Sequence, residues 1–393
     1  MDTVKIGVNL LYLRPGGVGG SETYVRAVLE AMGHFPGIQL EVFGNQETVD
    51  SFGNTGGMGF HVVHGQSFGQ LTRLWHENVT LARHLEGLEV LWSPSNFIAP
   101  CLPSRIPQAA TIYDLQHRWF PRNFSRLQNT VREILFRLTF SKASAWFAIS
   151  DFSRRDVLKR YGASPKKAHS VLLGADLPGE TPAEKEKATL KKYNLQKPYF
   201  IFPATMAPHK GHAFLMEALA KANQRHPGKV PQLVLTGRKT GLWPGIESQI
   251  QELGPGQSVT HLGYLPQEDT LALVGGAQAL LFPSRFEGFG LPVLEAMSLG
   301  TPVLASRNTA ILEVAGKGAR LLPTYDADSW ADAIVQISQD EGLRTKLVKR
   351  GHENCKRFSW EKCARETLAI LLKCTHRGSN RIANPAVLGQ IPA

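Results

Sequence analysis

LLFPSRFEGFGLPVLEAMSLG, residues 280–300, is the most informative stretch of this sequence. The apolar run 279–283 predicts a buried strand of a parallel sheet, and the glycine-bearing segment 284–290 predicts a loop. Pro292 suits the first position of a helix, and the apolar residues after it continue along one face. This order of strand, glycine loop and helix indicates a phosphate site, because free N–H groups and the helix dipole meet there.

Two carboxylates bracket the glycines of this loop. Glu287 lies before them and Glu295 lies in the predicted first turn of the helix, with seven residues between the two acids. A carboxylate accepts two hydrogen bonds at once, which suits a vicinal diol such as a ribose or a sugar ring. The same acids also fit a structural interpretation, a solvent-facing loop acid and a first-turn glutamate that stabilises its helix. Spacing alone leaves both interpretations open.

The whole stretch resembles, nearly residue for residue, the E-x7-E signature of the family 4 retaining glycosyltransferases. The resemblance is carried by Glu287-Gly-Phe-Gly-Leu-Pro-x-x-Glu295-Ala-Met and continues through Gly300-Thr-Pro-Val-Leu-Ala. It implies the GT-B architecture, an α/β fold with two facing Rossmann-like domains, doubly wound parallel sheets and a C-terminal crossover helix. The acceptor is then expected on the first domain and the nucleotide sugar on the second.

The resemblance also implies roles for this stretch. Glu287 is expected to hold hydroxyls of the donor sugar at the reaction centre, and Glu295 to hold the ribose diol. Transfer at the anomeric carbon passes through an oxocarbenium-like state, so the leaving diphosphate needs positive charge and N–H donors. The family retains the anomeric configuration without an agreed enzymic nucleophile, and we name none. The loop residues expected around the diphosphate are Gly288, Phe289, Gly290 and Leu291.

Composition narrows the class of protein. A chain of 393 residues predicts two domains, and its 42% hydrophobic and 20% charged residues are typical of a soluble globular protein. No apolar run reaches the roughly 18 residues of a membrane span, and the N-terminus lacks a signal-peptide cleavage site. We therefore expect a cytoplasmic protein that can attach to the inner face of the membrane. The four cysteines show no metal or redox spacing, so reduced thiols are expected.

The net charge of +11 indicates an anionic partner. Nucleotide, nucleic acid and acidic membrane all fit that charge. The sequence shows no nucleic-acid-binding motif, so no nucleic-acid partner is expected.

A second glycine-rich loop follows the first apolar strand. Gly16, Gly17, Gly19 and Gly20 lead into an amphipathic helix, for which Ser21 is the predicted cap. Their spacing does not give the G-x-G-x-x-G dinucleotide fingerprint. In the family that the sequence resembles, this loop approaches the donor pyrophosphate or the acceptor, so Gly16 and Gly17 are expected at the donor. A tight strand-to-helix turn fits the same residues. Residues 53–60, also glycine-rich, predict a further loop.

The run Tyr113-Asp-Leu-Gln-His-Arg-Trp-Phe-Pro resembles the family's His-Asp-Leu…Phe-Pro segment at the acceptor face. Tyr113 occupies the position of the family's histidine, which leaves His117 as the fallback candidate for that contact with the donor sugar. Asp114 is expected to orient an acceptor hydroxyl or to act as a base. The alternative is that Asp114 is only a turn residue, as aspartates after strands often are.

The segment 118–167 is strongly basic, with many more Lys and Arg residues than acids. Apolar residues from Val131 to Leu138 follow helical spacing beside Arg132 and Arg137. One hypothesis is that this face meets anionic lipid headgroups and brings the enzyme to a lipid-linked acceptor. The alternative is an ordinary solvated helix face.

A second alternation of strands and helices begins at Tyr199 and predicts the second doubly wound sheet. Lys210, after its first strand, matches the lysine of the family's phosphate-holding Arg/Lys pair. The arginine of that pair falls on Thr205, and Arg238 is the conjectured source of the missing charge. The predicted domains are 1–178 for the acceptor and 179–358 for the nucleotide sugar, followed by a helix over 359–374 that packs back on the first domain and a loosely ordered tail over 375–393.

Two patterns suggest a metal site, and we expect neither to bind a metal. Asp326-x-Asp328 precedes a predicted helix, so capping is the expected role. His209 and His212 are separated by three positions without a third ligand, which favours packing and hydrogen bonding to the donor.

The sequence thus predicts a metal-independent hexosyltransferase with no cofactor besides its donor, a nucleoside-diphosphate sugar. GDP-mannose is the first choice, because the segment from His209 to His212 resembles bacterial enzymes that build mannose-containing surface polysaccharides. A saccharide or a lipid-linked saccharide is the expected acceptor. Two alternatives are left open: another GT-B enzyme such as a sugar-nucleotide epimerase, and a non-catalytic sugar-nucleotide-binding protein, which the departures at Tyr113 and Thr205 do not exclude.

Overall fold

The computed structural model describes residues 3–17, 19–53, 57–65, 69–103, 105–175, 183–253 and 258–375. The chain forms two compact units. Unit 1 contains the chain up to Gly174 and the segment that begins at Phe358, and unit 2 contains Ala175–Arg357. The predicted boundary near residue 178 and the predicted tail beyond residue 375 lie outside the described residues.

Unit 1 is built on a parallel sheet of seven strands in the order β3-β2-β1-β4-β5-β6-β7. The central strands are buried on both faces, which explains their continuous apolar runs. The strands are β1 Val4–Asn9, β2 Ile38–Asn45, β3 Met58–His64, β4 Val90–Ser93, β5 Gln108–Ile112, β6 Ala145–Ala148 and β7 Ala168–Ser170.

Helices connect these strands. A π-helix, His76–Thr80, follows α3 directly and runs into a 3₁₀ helix, Leu81–His84. The helices of this part of unit 1 are α1 Gly20–Gly33, α2 Gln46–Phe52, α3 Gln70–Trp75, α4 Gln116–Trp119, α5 Arg126–Lys142 and α6 Asp151–Tyr161.

Unit 2 is built on a second parallel sheet, with six strands in the order β10-β9-β8-β11-β12-β13. Its strands are β8 Tyr199–Pro203, β9 Gln232–Thr236, β10 Val259–His261, β11 Ala279–Phe282, β12 Val303–Ser306 and β13 Arg320–Leu322. Its helices are α7 Ala183–Lys192, α8 His212–Arg225, α9 Trp243–Glu252, α10 Gln267–Gly276, α11 Leu291–Ser298, α12 Thr309–Ala315, α13 Ala327–Gln339 and α14 Glu341–Cys355. The two doubly wound sheets confirm the predicted fold class.

The last helix, α15 (Trp360–Cys374), belongs to unit 1 and packs against α1. Ser359 caps it by accepting a hydrogen bond from the N–H of Lys362. Cys363, Leu368 and Leu371 on its inner face are fully buried. The contact exists because one stripe of α15 is apolar and α1 presents a buried stripe of its own.

Several local predictions are confirmed and others are wrong. Asp326 caps α13, as predicted from the helix pattern. Ser21 does not cap α1, because the helix already begins at Gly20 with Gly19 as its N-cap. The loop predicted over 53–60 gives way to β3 at Met58. Glu295 lies in the second turn of α11 rather than in the first, because the helix begins at Leu291.

Among the helices of the described residues, none is both long enough and apolar enough to cross a membrane.

Candidate functional site

The predicted donor residues lie at the carboxyl edge of the sheet of unit 2. Strand order reverses between β8 and β11, which are adjacent, and such a switch point is where doubly wound sheets bind ligands. Gly211 ends the loop after β8 with φ +81°, and a Cβ there would come within 2.7 Å of the carbonyl oxygen of Pro283 in the loop after β11. Glycine is therefore required for the two loops to approach this closely.

Lys210 and Glu287 meet at this switch point. Lys210 Nζ donates a hydrogen bond to Glu287 Oε1 at 2.7 Å, and the two side chains are 22% and 12% exposed. The ammonium predicted for the diphosphate and the carboxylate predicted for the donor sugar are thus in direct contact. Each retains capacity, because an ammonium has three donors and a carboxylate accepts several hydrogen bonds.

Backbone and side-chain hydrogen bonds hold the two loops. The N–H of Arg285 donates to the carbonyl of His209 at 2.7 Å and so ties one loop to the other. The N–H of Glu287 donates to Thr309 Oγ1 at 3.1 Å, and Asn308 Nδ2 donates to the carbonyl of Ser284 at 2.8 Å. Thr309 has φ +40°, which is unusual for a β-branched residue and costs free energy. The position of Glu287 is therefore set by several contacts.

The segment from Gly288 to Leu291 is buried and leads into α11. Phe289 packs inward with 3% exposure, and Gly290 has φ +104° with Ile311 Cδ1 only 2.4 Å from where a Cβ would stand. Gly290 is the N-cap of α11, and no side chain of the described residues caps that helix end. Pro292 has no N–H and the N–H of Val293 donates to the carbonyl of Gly290 at 3.0 Å, so Leu291 carries the first-turn N–H that could meet an anion.

Glu295 lies on α11 and is only partly exposed. Burial raises the pKa of its carboxyl to about 7. A hydrogen bond from Gln267 acts in the opposite direction, because it stabilises the charged form. Gln267 Nε2 donates to Glu295 Oε1 at 3.0 Å. Gln267 and Thr309 lie in no motif and reach the site from other elements, so the sequence alone does not reveal them.

Thr205 and Arg238 lie side by side at the ends of β8 and β9. Gly237 has φ +107°, and a Cβ there would lie 2.5 Å from Ala204 and 2.6 Å from the nitrogen of Thr205. The N–H of Met206 donates to the carbonyl of Arg238 at 3.1 Å. The exposed guanidinium of Arg238 lies 5.1 Å from the ring centroid of Tyr264. Arg238 therefore stands next to the residue at the family's arginine position.

The two histidines near Lys210 lie in the core. His209 and His212 are 8% and 4% exposed, and burial lowers the pKa of each to about 4, so both rings are neutral at physiological pH. The ring of His212 packs 4.6 Å from that of Phe202. A cavity of about 590 Å³ opens beside them and is lined mainly by apolar groups, among them Phe214, Ile246 and Tyr325. Lys210, Glu287 and Glu295 are not among its lining residues.

Asp326 and Asp328 have structural contacts in the described residues. Asp326 accepts a hydrogen bond from the N–H of Ser329 at 3.1 Å. Asp328 forms ion pairs with Lys221 and Arg225. Capping and surface ion pairs thus account for the D-x-D pattern.

The remaining predicted site residues lie in unit 1. Gly16 has φ +66° and donates its N–H to Glu22 Oε2 at 2.8 Å, while the N–H of Gly17 donates to the carbonyl of Arg14 at 2.8 Å. These bonds make the loop the tight strand-to-helix turn of the alternative interpretation. Asp114 Oδ1 accepts a hydrogen bond from the N–H of Gln116 at 2.9 Å, which is also a turn contact.

Tyr113, at the family's histidine position, and His117, the fallback candidate, both make contacts within unit 1. Tyr113 donates its hydroxyl to the carbonyl of Pro94 at 2.7 Å and lies 3.2 Å from the hydroxyl of Tyr12. The ring of His117 stacks on Phe136 at 5.0 Å, and its Nε2 lies 3.1 Å from the hydroxyl of Tyr161. Burial lowers the pKa of His117 to about 4. His117 therefore serves the core of unit 1, whereas Tyr113 is only partly buried at the end of β5.

Family models of glycosyltransferases match both halves of the chain. The family described as Glycosyltransferase Family 4 matches residues 18–177, and the family described as Glycosyl transferases group 1 matches residues 184–354.

Two curated relatives carry mannosyltransferase names. The chain is 31% identical over 272 residues to O-antigen chain mannosyltransferase B of Escherichia coli, a match that covers 68% of this chain and 71% of the relative. It is 30% identical over 268 residues to MMP alpha-(1->4)-mannosyltransferase of Mycolicibacterium hassiacum, covering 67% of this chain and 60% of that relative. The match thus spans less than two thirds of the second relative's length.

One solved structure is similar over nearly the whole chain. The Anabaena protein HepE, crystallised with UDP-glucose, superposes with a TM-score of 0.73 at 18% identity, covering 93% of this chain and 99% of that one. At this identity the similarity shows the fold.

Proposed function

This chain belongs to the family 4 glycosyltransferases of GT-B fold, and from that premise we propose that it moves a hexosyl group from a nucleoside-diphosphate sugar to a saccharide or lipid-linked acceptor, with retention of anomeric configuration. The observation that carries the proposal is the 2.7 Å contact of Lys210 with Glu287 at the switch point of the sheet of unit 2. Unit 2 then binds the donor, and unit 1 recognises the acceptor.

Mannose is the proposed sugar and GDP the proposed nucleotide. The names of the two mannosyltransferase relatives support the sugar. The UDP-glucose bound to the Anabaena neighbour supports a nucleotide sugar as the class of donor. It also makes UDP the nucleotide to test against GDP.

In the proposed reaction the departing diphosphate gains charge as the anomeric bond breaks. Lys210, shared with Glu287 or released from it, and the N–H donors at the start of α11 stabilise that charge. Glu287 accepts hydrogen bonds from hydroxyls of the hexose, and Glu295 from the ribose diol. Arg238 supplies the second cation beside Thr205. The two acids of the D-x-D pattern are already engaged, so we propose that transfer needs no metal.

The exposed residues of α5 support a proposed contact with anionic membranes. Such a contact would bring the enzyme to a lipid-linked acceptor. Leu127 and Ile134 are 71% and 52% exposed on this helix, and Arg122, Arg126 and Arg137 are exposed near them. Large apolar side chains flanked by cations suit an interfacial helix. Leu135 is buried, so the predicted apolar face divides into a core side and an exposed side.

The test is a thermal-shift panel of UDP-, GDP-, ADP- and dTDP-sugars on the wild type and on Glu295→Ala, followed by a transfer assay with the donor that binds. A ligand at ~100 times its dissociation constant adds about 2.7 kcal/mol to the free energy of unfolding, which gives a clear shift. We expect a shift with GDP-mannose that Glu295→Ala loses. A panel without any shift would contradict the proposal, and binding without transfer would favour a non-catalytic sugar-nucleotide-binding protein.

A further inference from the structure

The carboxyl edge of the sheet of unit 1 has its own switch point, between β1 and β4. Asn9 ends β1 and its Nδ2 donates to Ser93 Oγ, at the end of β4, at 3.5 Å. The hydroxyls of Tyr12 and Tyr113, from the loops after β1 and β5, lie 3.2 Å apart. Crevices at such points are where parallel α/β sheets bind ligands.

Two arginines on different helices act electrostatically on residues of this edge, Arg73 on Tyr12 and Arg132 on Asp114. Arg73 lies on α3 and Arg132 on α5, and their chain neighbours Leu74 and Val131 pack against the same apolar cluster. Electrostatics agrees with that placement: burial lowers the pKa of Arg132, the charge of Asp114 raises it, and the charge of Arg73 lowers it further.

Both guanidinium groups have hydrogen-bonding capacity left. Their Nε atoms are buried and donate no hydrogen bond within the part of the chain that the structure describes. Arg73 Nε lies 3.6 Å from Glu77 Oε1, which is an ion pair longer than a hydrogen bond, and the guanidinium of Arg132 lies 4.6 Å from the ring centroid of Phe124. A buried donor without an acceptor costs free energy, and two neighbouring cations repel each other.

We propose that Arg73 and Arg132 form a subsite for a phosphate group carried by the acceptor, with Asp114 beside them to accept a hydrogen bond from an acceptor hydroxyl. An anion between the two guanidinium groups relieves their repulsion and uses their N–H donors, and the planar fork of arginine matches the oxygens of phosphate. The inference rests on the proposed function, since it specifies the acceptor of that transfer. The phosphate has two sources, a free sugar phosphate or the diphosphate of a lipid-linked saccharide.

The test measures binding to the full chain by calorimetry with matched probes. Mannose 1-phosphate and methyl mannoside differ in the phosphate, and farnesyl-diphosphate-linked mannose represents the lipid-linked source. We expect mannose 1-phosphate or the diphosphate-linked probe to bind at least tenfold more tightly than methyl mannoside. Equal affinity of the two phosphate probes identifies the phosphate alone as the recognised group, whereas a preference for the lipid-linked probe identifies the lipid-linked source.

Variants separate this subsite from the rest of the protein. Arg132→Gln should reduce phosphate-probe affinity at least tenfold, with partial recovery in Arg132→Lys, which keeps the charge but loses the fork. Arg73→Gln is made together with Glu77→Gln so that no buried carboxylate is left without its cation. Arg83→Gln, an exposed arginine of the same unit, is the matched control. If nucleotide sugar binds and is transferred while Arg132→Gln and the Arg73 variant behave like Arg83→Gln, the subsite is refuted and the proposed function stands. Failure of nucleotide-sugar binding in the wild type refutes the proposed function itself.

Discussion

The ammonium of Lys210 and the carboxylate of Glu287 lie 2.7 Å apart although 77 positions separate them in the chain. The cation that we propose for the diphosphate and the carboxylate that we propose for the sugar are therefore paired with each other before any donor arrives. A donor that binds here must share Lys210 with Glu287 or take it over. The pair thus couples recognition of the diphosphate to recognition of the hexose.

This coupling predicts opposite effects of two substitutions. Lys210→Ala should weaken binding of the nucleoside diphosphate and reduce kcat/KM about 10²- to 10³-fold, because it removes a preorganised cation from the leaving group. Glu287→Gln should bind the nucleoside diphosphate at least as tightly as the wild type, because Lys210 is released, while transfer falls. Calorimetry with the nucleoside diphosphate and initial-rate kinetics measure the two effects. Weaker nucleotide binding in Glu287→Gln would show that the pair does not compete with the phosphate.

The raised pKa of Glu295 predicts a pH dependence of donor affinity. Only the ionised carboxylate accepts both hydrogen bonds of the ribose diol, and burial raises the pKa to about 7. Affinity for the intact nucleotide sugar should therefore increase about tenfold from pH 6 to pH 8. Glu295→Gln should flatten this dependence. If donor affinity depended on pH equally in Glu295→Gln and in the wild type, the titrating group would be another residue.

The same group predicts the pH dependence of the free protein's stability. A carboxyl whose pKa is higher in the folded state than its ordinary 4.5 binds more protons when folded than when unfolded. Its contribution to the free energy of unfolding should decrease as the pH rises from about 4.5 through about 7. Comparing the denaturation midpoints of the wild type and Glu295→Gln across this range isolates the effect. The wild type should lose stability relative to the variant as the pH rises.

Gly211 is predicted to be intolerant of a side chain. Gly211→Ala would place a Cβ 2.7 Å from the carbonyl oxygen of Pro283 at φ +81°, so a loss of about 1 to 3 kcal/mol in the free energy of unfolding is expected. Gly245→Ala is the control, because it lies in α9 with nothing within 4 Å of a Cβ. The control should be neutral or stabilising by up to about 1 kcal/mol. Urea denaturation of both variants measures the difference, and equal midpoints would refute the close approach.

The exposed apolar residues of α5 predict binding to anionic vesicles. Replacing Leu127 and Ile134 together by Ser should reduce binding to phosphatidylglycerol vesicles at least several-fold, and salt should weaken wild-type binding. Leu242→Ser is the matched control, because Leu242 is 41% exposed in unit 2. Cosedimentation measures both variants. Wild-type binding that is absent or unaffected by salt would exclude an electrostatic membrane contact.

Much of the fold follows from local patterns. The runs Tyr199–Pro203 and Ala279–Phe282 are continuous and apolar because the strands are buried on both faces, and both were predicted. Strand β3, MGFHVVH, was not predicted, because it is an edge strand paired only to β2 and only one of its residues is fully buried. Its conformation depends on pairing with a distant segment, which no local pattern reveals.

The candidate site, like the fold, is predicted from the sequence only in part. Glu287, Glu295 and Lys210 are found from a motif, but that Lys210 contacts Glu287 follows only from the adjacency of β8 and β11. Burial rather than sequence sets the pKa of Glu295, and the loops after β1 and β5 bring Tyr12 to Tyr113. Local residue types predict which groups are present, whereas tertiary structure decides how they are charged and paired. The site roles of all these residues stay predictions until the variants are measured.

The return of α15 to unit 1 affects how the protein is made. Residues 175–357 form unit 2 without interruption, so during translation this unit is complete before α15 emerges from the ribosome. Until then the apolar stripe of α1 lacks the helix that covers it, and the N-terminal unit, although synthesised first, finishes folding last. A released chain truncated before residue 360 should therefore be protease-resistant in its second unit and still sensitive in its first.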